Sequence, residues 1–156
     1  MIVVDLGAAP GSWSQVVSHK VGNKGKVIAV DILDMSPLPG VEFIQGDFRE
    51  EHAVLELRKH LGEHQPDLVI SDMSPNISGI VVSDQARSMY LAELALAFSM
   101  EQLNYDGNFL VKVFQGRDSE QFLRDMRAGF KSVLIRKPKA SRDRSNELYL
   151  LGLGKK

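Results

Sequence analysis

Residues 1–15 read MIVVDLGAAPGSWSQ and join a short apolar run to a turn of small residues. The run from Met1 to Asp5 predicts a buried β-strand, because about four to eight apolar residues bounded by a turn are typical of one. The small residues that follow let a ligand approach the backbone closely, and residues 11–20 then predict a helix whose first N–H groups are free. A strand, a small-residue turn and a helix in this order indicate an α/β fold.

The rest of the chain repeats this alternation. Further strands are predicted at 26–31, 41–45, 67–71, 108–114, 132–136 and 147–153, and further helices at 50–61, 84–103 and 119–130. Alternating strands and helices predict a mostly parallel sheet covered on both faces. The last two strands have no room for a crossover helix between them, so they are expected to be antiparallel. Ligands of such sheets bind beyond the carboxyl ends of the strands, which makes the residues after strands one to five the functional candidates.

Length and composition fit one domain spanning residues 1–156. The chain has 156 residues, of which 44% are hydrophobic and 25% charged, and these values argue against disorder. It has no cysteine, which excludes a disulfide framework, a thiolate nucleophile and a Cys-ligated metal. The apolar runs are too short to cross a bilayer and the start does not resemble a signal peptide, so we expect a cytoplasmic protein without a membrane partner.

Charge is divided unevenly along the chain. Residues 1–111 hold 7 Lys and Arg against 15 Asp and Glu, whereas residues 112–156 hold 12 against 5. A basic C-terminal third favours a polyanionic partner such as a nucleic acid. A solvated basic surface without a partner is the alternative.

Acidic residues follow several predicted strands. The dinucleotide fingerprint G-x-G-x-x-G would need Gly at 7, 9 and 12, but Ala9 and Ser12 occupy two of these positions, which weakens an NAD interpretation. Asp31 ends the second strand, where a carboxylate can accept both hydroxyls of a ribose. Asp47 follows the third strand and could accept from an adenine amino group. Either residue could instead cap a turn or a helix.

Asp72 and Lys112 mark the ends of the next two strands. Asp72 follows the fourth strand, and Lys112 interrupts the apolar run FLVKVF of the fifth. Lysine is rarely buried without a partner. Lys112 therefore either extends its amine to the surface or pairs with the acid of the neighbouring strand.

Four strings carry a resemblance to a known family. They are DLGAAPGSWSQ at 5–15, SDMSPN at 71–76, VKVFQG at 111–116 and RKPKASRDRSNELYL at 136–150. In order and spacing they resemble the FtsJ/RrmJ family of S-adenosylmethionine-dependent RNA ribose 2′-O-methyltransferases, over nearly the whole chain. The resemblance is strongest to bacterial enzymes that methylate a uridine of 23S ribosomal RNA in the 50S subunit. It implies a Rossmann-like methyltransferase fold, with a seven-stranded sheet whose last strand is antiparallel, and no metal.

The resemblance also implies roles for individual residues. It implies that the cofactor is bound by residues of the small-residue turn and by the acids at the strand ends, namely Gly7, Gly11, Trp13, Asp31, Asp47 and Asp72. Asp72, Lys112 and Glu147 match three members of a Lys-Asp-Lys-Glu catalytic tetrad. The first lysine and the helical segment before the sheet have no counterpart in this chain. We therefore expect it to bind S-adenosylmethionine but to methylate RNA more slowly than a chain extended to include that lysine.

RNA is expected to lie over the basic loop before the last strand. Its candidate phosphate contacts are Arg136, Lys137, Lys139, Arg142 and Arg144. Two rival functions stay open from the sequence. One is 2′-O-methylation of a tRNA or an mRNA cap, and the other is a truncated domain that binds cofactor and RNA with little turnover.

Overall fold

The computed structural model describes residues 1–9, 11–75, 78–137 and 147–156. Its centre is a seven-stranded sheet in the order β3-β2-β1-β4-β5-β7-β6. The strands are β1 Ile2–Leu6, β2 Lys26–Asp31, β3 Val41–Gln45, β4 Leu68–Ser71, β5 Asn108–Phe114, β6 Phe130–Arg136 and β7 Glu147–Lys155. The first five strands are parallel to one another, and β7 runs antiparallel to both β5 and β6. The predicted fold class is therefore confirmed.

Four α-helices among the described residues cover the sheet. They are α1 Ser12–Val21, α2 Glu51–Leu61, α3 Val81–Gln102 and α4 Ser119–Gly129, and a 3₁₀ turn at Gly22–Lys24 follows α1. Within the described residues, no helix is both long and apolar enough to cross a membrane.

Three boundaries differ from the prediction by two or more residues. The helix α3 begins at Val81 rather than at 84, β6 begins at Phe130 rather than at 132, and β7 ends at Lys155 rather than at 153. Phe130 was predicted to close α4. Phe130 is 1% exposed, stacks against Phe109 at 6.2 Å between ring centroids, and pairs with Lys155 in the β-ladder. Helical spacing alone assigned Phe130 to α4, whereas its burial against the sheet places it in a strand.

The helices lie on both faces of the sheet, as predicted. Successive strand residues point to opposite faces, so Val4 and Leu6 join the large core beneath α2, α3 and α4. Val3 and Val27 point to the other face, where α1 packs through Val17 and other residues.

The strand order reverses between β1 and β4. From β1 the chain builds outward through β2 and β3, and from β4 it builds in the opposite direction to β5. Open α/β sheets bind ligands at the carboxyl ends of the strands beside such a switch point. The residues that follow β1, β2, β3 and β4 all lie at this edge.

Candidate active site

A cavity of about 550 Å³ opens at this edge of the sheet. It brings together five predicted site residues from five different strand ends, namely Gly7, Asp31, Asp47, Asp72 and Lys112. Of the other described candidates, Gly11, Trp13 and Glu147 do not line this cavity. The remaining wall comes from the turns after β1, β2 and β3, through residues that include Ile32, Leu33 and Arg49, and from the loop after β4 and α3, through Met73, Ser74, Pro75, Arg87 and Leu91.

The turn after β1 is shaped for close approach. Gly7 has φ +76°, and a Cβ there would lie 2.8 Å from the Met73 Cα, so no larger residue fits without moving the β4 loop. Its N–H donates to the carbonyl of Val30 at 2.8 Å, which ties the turn to β2. Gly11 caps α1 at φ +117°. Both glycines therefore meet conformational demands in addition to the predicted cofactor role.

The Asp31 carboxylate is fixed by two backbone donors. The Ala9 N–H donates to Oδ2 at 2.9 Å, and the Leu33 N–H donates to Oδ1 at 2.8 Å. Each carboxylate oxygen can accept a second hydrogen bond. Asp31 is thus held at the cavity with capacity left for two hydroxyls. It also caps the turn after β2, as one of the two alternatives from the sequence had it, and the ribose role stays a prediction.

Asp47 is engaged by Arg49, a partner that the sequence analysis did not single out. The Arg49 Nη2 lies 2.6 Å from Oδ2, and the Arg49 backbone N–H donates to Oδ1 at 2.9 Å. The guanidinium holds the pKa of Asp47 below its ordinary value. The carboxylate therefore stays ionised at the cavity wall while it also closes the turn before α2. An acid followed two residues later by Arg, directly after a strand, was the available signal.

Asp72 is the hub of a polar cluster. Its Oδ1 lies 3.0 Å from the Lys112 Nζ, and its Oδ2 accepts from the Trp13 indole N–H at 3.2 Å. Lys112 also donates to the Ser74 hydroxyl at 2.8 Å. The Lys112 side chain is only 11% exposed, so the amine is paired within the sheet edge. The structure thus selects pairing with the neighbouring acid over extension to the surface.

Tyr149 completes this cluster. It lies opposite Lys112 in the β5–β7 ladder, and its hydroxyl donates to the Asp72 Oδ1 at 3.3 Å. Its ring meets Trp13 edge-on at 6.1 Å between centroids. Burial, and then the negative charge of Asp72, raise the pKa of the Tyr149 hydroxyl well above its ordinary value, so it remains a donor. Tyr149 was not among the site residues predicted from the sequence. The signal that could have identified it is antiparallel pairing of the last strand with β5, which places Tyr149 opposite Lys112.

Glu147 and the start of the basic segment lie at the same edge of the sheet as the Asp72 cluster. Glu147 pairs with Phe114 in the ladder, on the face that also carries Lys112 and Tyr149. A contact between Glu147 and the lysine head stays a prediction. Arg136 lies opposite Tyr149 at the end of β6, and Lys137 follows it. The other three RNA-contact candidates, Lys139, Arg142 and Arg144, lie outside the described residues.

A buried acid lies beneath the turn after β1. Asp5 is 0% exposed, and its Oδ2 accepts from the Ser14 hydroxyl at 2.6 Å. Within the described part of the chain its Oδ1 has no hydrogen-bond partner. Burial is the main cause that raises the pKa of Asp5 to about 7, and the charges of Asp72 and Asp31 add to it while Ser14 opposes it. Asp5 is therefore largely neutral below pH 7.

Replacing Asp5 with asparagine is expected to flatten the pH dependence of stability between about pH 4 and pH 7. The folded pKa of about 7 exceeds the unfolded value of 3.8, so the stabilising contribution of the protonated acid is complete below pH 4 and is lost as the pH rises to 7. The loss approaches roughly 4 kcal/mol at about 1.4 kcal/mol per unit of pKa difference, which is an upper bound. An asparagine stays neutral throughout.

Urea unfolding of wild type and Asp5→Asn at pH 5, 6, 7 and 8 checks this. As the pH rises, we expect the free energy of unfolding of Asp5→Asn to increase relative to that of wild type. An Asp106→Asn variant controls for a generic loss of charge, since Asp106 is exposed. Parallel curves for Asp5→Asn and wild type would show that Asp5 ionises normally in the folded chain.

Comparison with known proteins places the chain in a family. Residues 1–155 match the FtsJ-like methyltransferases. The ribosomal RNA large subunit methyltransferase E of Nitrosomonas europaea is 66% identical over 155 residues, which are 99% of this chain and 75% of that protein. The protein of the same name from Chromobacterium violaceum is 59% identical over 155 residues, 99% of this chain and 76% of its own length. The chain thus spans about three quarters of these relatives.

Solved structures agree on the fold. A Plasmodium falciparum protein assigned to the ribosomal RNA methyltransferases superposes with a TM-score of 0.87 at 28% identity, covering 99% of this chain and 86% of its own. Human methyltransferase-like protein 13 in complex with SAH gives a TM-score of 0.62 at 15% identity, covering 98% of this chain and 71% of its own. With a family match over nearly every residue and relatives above 30% identity, this chain belongs to the FtsJ-like methyltransferase family.

Proposed function

We propose that this chain transfers a methyl group from S-adenosylmethionine to a ribose 2′-hydroxyl of ribosomal RNA, at a uridine of 23S RNA in the 50S subunit. The observation that carries the proposal is the Lys112–Asp72 pair, 3.0 Å apart at the end of a cavity lined by strand-end carboxylates. The relatives named ribosomal RNA large subunit methyltransferase E support the substrate class. The cytoplasm, where ribosomal RNA is found in bacteria, is the proposed compartment, and residues 1–156 form one domain.

The residues of the cavity fit the cofactor. Asp31 keeps acceptor capacity for two ribose hydroxyls, and Asp47 presents an ionised carboxylate to an amino group. Gly7 leaves open the space that a Cβ would fill. Gly11 and Trp13 belong to the same turn and helix head, and we assign them to the methionine end. S-adenosylmethionine, when bound, supplies a methyl group on a positively charged sulfur, which needs no metal for activation.

Lys112 is the residue that we assign to the target hydroxyl. A ribose hydroxyl is a weak nucleophile until its proton is shared or removed, and a positioned amine can do either. Asp72 and Ser74 fix the Lys112 Nζ from two sides, at 3.0 and 2.8 Å. Asp72 also places a negative charge at the end of the cavity where the sulfonium would lie. Alignment by these groups is the main source of rate, because the two reacting atoms must meet at near-attack distance.

Glu147 and the basic segment complete the proposal. Glu147 is assigned to the lysine head as the third member of the catalytic set. Arg136 and Lys137, at the end of β6, begin the phosphate-binding segment that continues through Lys139, Arg142 and Arg144. Contacts of this kind set the affinity for RNA and make it fall with salt.

Methyl transfer from isotope-labelled S-adenosylmethionine tests the function. The substrates are 50S subunits, naked 23S RNA, tRNA and capped mRNA, each followed by nuclease digestion and identification of the labelled nucleoside. We expect 2′-O-methyluridine from a large-subunit substrate, under conditions of excess enzyme. Label on a base, or on tRNA or cap alone, would contradict the proposal. SAH binding without transfer to any substrate would favour the binding-only domain.

A further inference from the structure

Three consecutive apolar residues are exposed at the head of α3. Ile80, Val81 and Val82 are 65%, 67% and 75% exposed. Among the described residues, the other exposed large apolar side chains occur singly, apart from the pair Ile32 and Leu33 at the cavity. Scattered exposed apolar residues need no explanation, whereas a contiguous group indicates an interaction surface.

The exposed position of this segment is fixed by Asp84. Its carboxylate accepts from the Ser78 backbone N–H at 3.0 Å, the Ser78 hydroxyl at 2.7 Å and the Gly79 N–H at 3.2 Å, and it pairs with Arg87. These hydrogen bonds lower the pKa of Asp84 to about 2, and those from Ser78 make the largest contribution. The three apolar side chains are therefore held outward by an ordered turn and do not belong to a frayed helix end.

A short stretch of chain joins the segment to the catalytic cluster, and the segment begins the helix that carries Arg87. It follows the loop that carries Asp72 and Ser74, and the six residue steps from Ser74 to Ile80 can span at most about 22 Å. On the same helix Arg87 reaches the cavity wall. Gln85 donates to the carbonyl of Gln115 at 3.4 Å, which brings the α3 head against the loop that contains Arg117.

Apolar and cationic groups side by side match the chemistry of an unpaired RNA strand. Such a strand presents apolar nucleobase faces and anionic phosphates in alternation, and proteins bind it by combining apolar platforms with basic grooves. A partner protein could also cover aliphatic side chains. The positive charge of Arg87 and Arg117, and the position of the segment directly after the loop that carries Asp72 and Ser74, favour the RNA that carries the target ribose.

We propose that the α3 head, defined as Ile80, Val81 and Val82 with Arg87 and Arg117, binds an unpaired segment of the substrate RNA next to the target nucleotide. The apolar side chains contact nucleobase faces, and the arginines contact phosphates. The proposal rests on the proposed function and adds to it a second RNA contact, separate from the basic segment before β7.

The double variant Val81→Ser with Val82→Ser tests the surface. Serine is well tolerated in the first turn of a helix, so the fold should hold. We expect the KM for naked RNA to rise about tenfold, with kcat within twofold of wild type and SAH affinity unchanged, since loss of base contacts acts on substrate binding. Leu55→Ser on α2 is the matched control, because Leu55 is 47% exposed and should leave the KM unchanged.

Anisotropy of a fluorescent unpaired RNA, measured with SAH present, separates this proposal from the proposed function. If the double variant binds this RNA more weakly than wild type and Leu55→Ser does not, the result supports the α3 head as an RNA-binding surface, even if methyl transfer is undetectable. An unchanged KM and unchanged RNA affinity would overturn it. A KM that rises only on 50S subunits, with naked RNA unaffected, would also overturn it and assign the surface to a ribosomal protein. Absence of binding of this RNA by wild type would overturn the α3-head proposal, whereas the proposed function is decided separately by methyl transfer to 50S subunits and 23S RNA.

Discussion

Replacing Lys112 with alanine is expected to lower single-turnover methyl transfer roughly a hundredfold to ten-thousandfold, the range typical of removing a positioned general base. The reason lies in the surroundings of the amine. Lys112 is 11% exposed and fixed between Asp72 and Ser74, so its amine is held in one place, and an alanine offers no group that could orient the target hydroxyl or accept its proton. SAH affinity should change less than threefold, because Asp31 and Asp47, which are assigned to the ribose and the adenine, are held by backbone N–H groups and by Arg49 and not by Lys112.

The measurement pairs a rapid-quench methyl-transfer assay with calorimetric titration of SAH. Lys131→Ala is the matched control, since Lys131 is also a strand lysine in an ion pair, with Asp106 at 2.9 Å, but its side chain is 48% exposed. Turnover retained in Lys112→Ala would remove Lys112 from the chemistry. Equal losses of SAH binding and turnover would instead assign it to cofactor binding.

The architecture was predictable because it depends on patterns that are local in the sequence. Alternating apolar strands and helices gave the element order, and the short connection at 137–147 gave the antiparallel last pair. The boundary errors arose where two patterns overlap. Phe130 continues the helical spacing of Phe122 and Met126, yet its burial against Phe109 places it in β6.

The candidate site was predictable only in part. Strand-end acids converge in any parallel sheet, so the common location of Asp31, Asp47 and Asp72 followed from the fold. Side-chain partners depend on register and rotamers, which single residues do not encode. Tyr149 reaches Asp72 because β7 pairs with β5 in one particular register, and Ser74 reaches Lys112 because the β4 loop turns back over β5.

Asparagine in place of Asp72 is expected to reduce methyl transfer at least about a hundredfold and to weaken SAH binding less. Asp72 accepts on both oxygens, from Trp13 on Oδ2 and from Lys112 and Tyr149 on Oδ1. An asparagine has one oxygen and one NH₂ group, so on one side a donor must face a donor. The substitution also removes the negative charge opposite Lys112, so the buried amine loses the ion pair that holds it in position.

Two conservative variants separate the charge of Asp72 from its hydrogen bonds. Tyr149→Phe and Trp13→Phe each delete one donor and keep the carboxylate, so we expect only few-fold losses of turnover from them. An Asp72→Asn effect no larger than theirs would mean that Asp72 acts only as a hydrogen-bond acceptor.

A titration provides a readout that a merely structural role would not move. The charge of Asp72 raises the pKa of both Asp5 and Tyr149. Neutralising it should therefore lower the pKa of Asp5, which carboxyl NMR can follow. If the pKa of Asp5 does not move while turnover still falls, the charge of Asp72 does not reach Asp5, and the loss of turnover is then assigned to the contacts that Asp72 makes with Lys112, Trp13 and Tyr149.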